Sequence, residues 1–211
     1  MWNNPKNRTC GPLRTLPRRA LRMALVLGLT IPLLSGCANI LLGGITAGAA
    51  VVQERRNSRT ILADEYTEHL AARLLANNPD IDKRSRISTT SHSHLVLLTG
   101  QAETQAISNR FARKVARLPK VKKVFNEVTI GPPASFIRES RDALLTSRVK
   151  LALTKLKVPG FGARQVKVVT EAGSVFLMGL VYPWEGDAAA EKVRYVPGVA
   201  KVVKVFKYIE P

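Results

Sequence analysis

The sequence predicts an α+β protein: two tandem αββαβ domains, each a small mixed sheet with two helices on one face, set behind a signal peptide. Three observations predict it. The first 36 residues have the anatomy of an export leader and stop at a cysteine. Two separate short motifs then recur further along the chain at a near-constant offset, the mark of a duplication. Within each copy, helix-period and strand-period patterning alternate in the same order.

The leader comes first. Residues 1–22 are rich in arginine, residues 23–34 form a 12-residue apolar run broken only by Pro32, and the small residues Ser35 and Gly36 precede Cys37. Twelve apolar residues are too few to cross a hydrocarbon core of about 30 Å. Leu34-Ser35-Gly36-Cys37 resembles a bacterial lipobox, cleaved just before a cysteine that receives a diacylglyceryl thioether, so Cys37 is the expected site of lipid attachment and residues 1–36 a lipoprotein signal peptide. The other reading is a transmembrane helix, because residues 40–52 are also apolar and 23–52 carries no charge. Pro32 and the glycines at 36, 43, 44 and 48 oppose it. By resemblance to Gram-negative lipoproteins, Ala38 is not the aspartate that retains them in the inner membrane. The implied location is the outer membrane, lipid-anchored and facing the periplasm, where two or more acyl chains hold stably.

Composition agrees with a folded exported protein. The chain has 211 residues, room for one ordinary domain or two small ones. It is 45% apolar with a mean hydropathy near zero, which excludes a disordered chain. The net charge of +18 points to a polyanionic partner: nucleic acid, an acidic protein or an anionic membrane. Losing residues 1–36 removes six basic residues and no acidic one, leaving +12. Cys10 leaves with the leader, so Cys37 would be alone and no internal disulfide could form.

Residues 37–63 read as a lipidated N-terminal linker. Beyond it Leu98-Thr99-Gly100 lines up with Leu177-Met178-Gly179, 79 residues on, and the segment 114–121 with 192–199, 78 residues on. The first domain is expected over 64–130 and the second over 139–209, with a Pro- and Gly-containing linker at 131–138. Helices open the copies at 64–76 and 138–157, the latter with Leu145, Val149, Ala152 and Leu156 at helical spacing. Hairpins follow. Strands 86–90 and 95–101 flank the polar turn "SHSH", and strands 165–171 and 174–181 flank "EAGS". Second helices run over 103–118 and 186–196, halted by Pro119 and Pro197, and valine-rich strands at 121–130 and 199–209 finish the copies. Gly100 and Gly179 suit strand geometry or close packing. Units this small are marginal alone, so the copies are expected to pack on each other.

Enzyme chemistry needs a constellation, and none is legible: no catalytic residue, no metal site and no cofactor is assigned. His92 and His94 form an H-x-H pair without further ligands nearby and read as solvated turn residues, with His69 on the first helix. Ser91 and Ser93 lack a nucleophile-elbow context. Nucleic acid is set aside because export removes it and no aromatic stacking platform is evident.

Binding is the better case. With Leu145 as the core reference, Arg141, Leu144, Arg148, Leu151 and Lys155 form a second stripe on the helix, well away from the core face. Leucines alternating with cations suit an anionic phospholipid membrane, the apolar side chains entering the acyl boundary while cations meet phosphates. Equally, Leu144 and Leu151 could pack on the first domain and leave the cations solvated.

The order αββαβ, with "VFLMGLV" at 175–181 and the Val-Pro-Gly-Val turn at 196–199, resembles the BON domain. Two such domains behind a lipobox are similar to the dual BON-domain outer-membrane lipoproteins of the DolP (YraP) type, as is the polar stretch "RRNSRTILADE" at 55–65. The resemblance implies that the first helix of the second domain engages anionic phospholipid and that the protein supports envelope integrity. Leu144 departs from the family, which has a tryptophan there, and that removes an interfacial anchor. Three cations contribute about 1 kcal/mol each near an anionic surface, and two leucines about 1.5–3 kcal/mol each if fully buried. Such a site is weak for a free protein, and a tether that raises the local lipid concentration populates it further. The alternative role is a periplasmic protein-interaction adaptor, its partners outer-membrane assembly or cell-wall remodelling machinery.

Overall fold

The computed structural model describes residues 54–132 and 135–210; the leader, Cys37 and the apolar stretch 40–52 lie outside them. Among the described residues no helix is long and apolar enough to cross a membrane. The first copy runs α1 (Ser58–Ala76), α2 (Pro79–Asp82), β1 (Ser85–His92), β2 (Leu95–Ala102), α3 (Gln105–Val115), β3 (Lys123–Asn126) and β4 (Thr129–Ile130). The second runs α4 (Phe136–Thr154), a 3-10 turn (Ala163–Gln165), β5 (Val166–Glu171), β6 (Ser174–Val181), α5 (Pro183–Arg194) and β7 (Lys201–Tyr208). In both, the hairpin is antiparallel and the closing strand joins the middle one in parallel, giving orders β1-β2-β3 and β5-β6-β7. The α+β class and the two mixed sheets are as expected.

Helix starts follow their caps. α1 begins six residues ahead of the expected 64, because Asn57 Oδ1 accepts the Arg59 N–H at 2.9 Å. Ser135 starts α4 in the same way, accepting from Arg138 N at 3.4 Å. α5 opens on Pro183, with Glu185 reaching back to the Tyr182 N–H at 2.9 Å. The short α2 was not expected; Pro79 starts it and fully buried Ile81 pins it.

The first hairpin turn is tighter than the sequence suggested, and the second is as short as expected. Only Ser93 and His94 (φ 54° and 69°) separate β1 from β2, and only Ala172 and Gly173 (φ 49° and 77°) separate β5 from β6. Two consecutive positive φ values make a type I′ turn, which matches strand twist. The expectation of solvated turn histidines is therefore corrected. His92 ends β1 and is 3% exposed, and His94 is half-buried. The closing strand of the first copy is also not continuous. It breaks at Glu127–Val128, opposite Thr99–Gly100, where Gly100 sits at φ 107°. A Cβ there would lie 2.0 Å from the Arg86 carbonyl oxygen, so β2 bends at a place only glycine fits.

Each sheet buries two faces. Val96, Leu98 and Ala102 of β2 pack with Ala71, Ile107, Phe111 and Val115 of the helices. Val175, Leu177 and Val181 of β6 pack with Leu145, Val149 and Leu153 of α4 and Ala189 and Val193 of α5. The intervening residues point the other way: Leu97 meets Phe176, Met178 and Val205 in a cluster between the domains. The sheets thus stack back to back, with the helices in the two outer layers. Gln101 Nε2 donates to Glu171 Oε1 at 2.6 Å and Lys167 Nζ to Glu68 Oε1 at 2.9 Å across the rim.

Candidate functional site

α4 has two faces of different chemistry. Leu145, Val149 and Leu153 are buried in the core of the second domain, with Ala152 and Leu156 packed partly against it. Arg141, Leu144, Arg148, Leu151 and Lys155 are all exposed, Leu144 at 62% and Leu151 at 58%. The alternative in which these leucines pack on the first domain is overturned: α4 is an outer layer, and the first domain meets the opposite side of the sheet. Among the described residues Arg141 and Arg148 make no ion pair.

The N-terminal half of α4 lines an open groove of about 640 Å³. Arg138, Arg141, Leu144 and Arg148 form one wall, and the turns Ala172–Gly173 and Pro197–Gly198 form the other. Asp142 also lines it but is occupied, accepting the Ala172 and Gly173 N–H groups at 2.8 and 2.9 Å. Three guanidinium groups beside an exposed leucine make a surface that accepts an anionic group and an apolar chain together. Leu151 and Lys155 continue the stripe beyond the groove. Sequence reasoning missed Arg138, whose signal was its place one turn ahead of Arg141 on the same side of the helix. It missed the groove entirely, since the opposite wall comes from turns far along the chain.

It also missed a clamp. Arg55, in the segment entering α1, reaches the second domain and grips Glu185 with two bonds, Nη1 to Oε2 at 2.5 Å and Nη2 to Oε1 at 2.8 Å. Nη2 also donates to the Gly160 carbonyl at 2.9 Å, and the guanidinium lies 5.0 Å from the centre of the Tyr182 ring. Glu185 is fully buried, and burial pushes its carboxyl up. The bonds from Arg55 and the Tyr182 N–H more than offset this and hold it below the usual range. Arg55 thereby fixes the start of the described chain, just ahead of α1, to the second domain.

A family model described as "BON domain" matches residues 63–132 and 141–210. The outer membrane lipoprotein DolP of Haemophilus influenzae is 34% identical over 190 residues, covering 90% of this chain and 96% of its own. A 21 kDa hemolysin of Actinobacillus pleuropneumoniae is 35% identical over 158 residues, 74% of this chain and 79% of its own. Among solved structures, the C-terminal domain of CdsD, a type III secretion protein of Chlamydia trachomatis, matches at 14% identity and a TM-score of 0.25, covering 74% of this chain and 100% of that one. With both copies matched and a relative aligned over nearly the whole length, the chain belongs to the family of outer-membrane lipoproteins built from two BON domains.

Proposed function

We propose that this protein is a binding module, not an enzyme, that engages anionic phospholipid through α4 of its second domain while a lipidated Cys37 tethers it to the periplasmic leaflet. Envelope integrity is the role this serves. The observation that carries the reading is the stripe itself: two leucines more than half exposed, alternating with Arg141 and Arg148 on a helix whose other face is core, with Lys155 at its C-terminal cap. Exposed leucines in that setting lose water contact when they enter an acyl boundary. Because Leu144 stands where the resemblance implies a tryptophan, the contact is weak on its own and the tether strengthens it.

Two measurements test the two halves. Flotation of the chain lacking residues 1–37 should recover it with phosphatidylglycerol vesicles and not with neutral ones, and Leu144→Asp combined with Arg148→Glu should abolish the recovery. Equal recovery with both vesicle types, or a double variant that floats like the parent, refutes the α4 contact. Mass spectrometry of the mature N-terminus should find an acylated Cys37 as the first residue. An intact leader with a free thiol at that position refutes the tether.

A further inference from the structure

The two copies share a fold but differ in the charge of the second helix and the turn after it. The 22 residues from 105 to 126 of the first domain hold seven cations and no acid: Arg110, Arg113, Lys114, Arg117, Lys120, Lys122 and Lys123. The matching stretch of the second domain, 183–204, holds four cations and three acids. There the charges neutralise one another, Arg194 pairing with Glu191 at 3.0 Å and Lys204 with Asp187 at 2.8 Å. In the first domain Arg110 pairs with Asp80, and Lys123 lies 4.7 Å from the Phe125 ring centre. The remaining five cations have no ion-pair partner among the described residues. Folding does not require this excess, because the other copy folds without it.

Lys120 makes the point more sharply. It sits at φ 67°, in the left-handed region, at the place where the second copy has Gly198 at φ 100°. Glycine occupies such a position without steric cost, whereas a side chain with a Cβ is strained there. Retaining a lysine on a strained turn, in line with other unpaired cations, points to use of its charge.

We infer that the first domain binds a linear polyanion along Arg113, Lys114, Arg117, Lys120 and Lys122. Arg113 and Lys114 lie in the last turn of α3, and Arg117, Lys120 and Lys122 follow in the exposed turn beyond its end. A row of cations pairs best with a row of anions. The partner is not the bilayer that α4 meets. Ile107, Phe111 and Val115 fasten α3 to the outer face of the first sheet, and both sheets stand between it and α4. With α4 on the membrane the row faces the opposite way, toward anionic polymer on the far side. That orientation rests on the reading of α4 above; the binding itself does not.

The test uses the soluble chain with two probes, poly-L-glutamate for repeated carboxylates and polyphosphate for repeated phosphates, in fluorescence anisotropy at low and moderate salt. Tight binding of at least one probe that weakens with salt is expected, and the probe preferred names the anionic group. Arg113→Glu with Arg117→Glu and Lys122→Glu should lower affinity at least ten-fold. A variant with the same charge change dispersed over Arg73, Lys83 and Lys192 should lose less than three-fold. Lys120→Gly should weaken binding two- to three-fold while raising Tm by about 2–4 °C, since it relieves the turn. No binding to either probe, or equal losses in the clustered and dispersed variants, overturns the inference. So does a clustered variant that loses vesicle flotation as fully as Leu144→Asp with Arg148→Glu, for then the row is a second membrane contact. The α4 variant should keep its polymer affinity, which separates failure of that reading from failure of this one.

Discussion

Asp64 and Asp142 do the same work 78 residues apart. Each stands on the opening helix of its copy and accepts the two N–H groups of the I′ turn, Ser93 and His94 for Asp64 at 2.7 and 2.9 Å, Ala172 and Gly173 for Asp142. That is how three non-glycine residues hold left-handed conformations. Asp64 accepts further bonds from Ser91 Oγ at 2.9 Å and Arg56 at 3.3 Å, and the arrangement draws His92 into the interior. Burial, and then the charge of Arg56, pushes the His92 imidazole down to about 4. A histidine held neutral in the fold but free to protonate when unfolded gives the unfolded state the greater proton uptake. Stability is therefore complete above the ordinary value near 6.5 and is lost as pH falls from there toward about 4. At pH 5 the loss from this group is about 2 kcal/mol. Urea denaturation of the parent and of His92→Asn at pH 7 and pH 5 should show the parent losing that much more than the variant. Equal losses would mean that His92 does not titrate with folding.

At the scale of elements, what the sequence disclosed was local and what it hid was long-range. The duplication was legible because Leu98-Thr99-Gly100 and Leu177-Met178-Gly179 each carry one core residue, one residue facing the other domain and one glycine seated against a carbonyl. Helical period alone separated the core face of α4 from the stripe, and exposure of Leu144 and Leu151 agrees with that separation. The first closing strand, expected over 121–130, reads as one run in the sequence. Its break comes from the partner strand, where Gly100 turns to positive φ. The burial of the histidines was hidden for a related reason: "SHSH" is polar, and nothing beside it announces that a carboxylate 29 residues before Ser93 satisfies the turn. The clamp between Arg55 and Glu185 joins residues 130 apart and left no pattern to read.

For the whole molecule, the decisive feature is that neither sheet has a free face. Helices cover one side and the other domain covers the second, so Leu97 from one copy is as much a part of the core as Phe176, Met178 and Val205 from the other. A domain of about 70 residues has little core of its own, and burying the shared faces supplies what each lacks. The two domains should then unfold together. Trp184 is the only tryptophan beyond the leader and lies in the second domain, which makes its fluorescence a local reporter. Leu97→Ala opens a cavity in the first domain's contribution to the shared cluster, at a cost of about 2–5 kcal/mol. If the sheets are one cooperative unit, the unfolding free energy read from Trp184 fluorescence falls by that amount, and its midpoint moves in step with the midpoint from far-UV circular dichroism. A Trp184 transition that stays put while the circular dichroism curve splits into two would mean that the domains are merely adjacent. The same result would mean that α3 and α4 are not held on opposite sides, because their separation requires the two sheets to be fixed face to face.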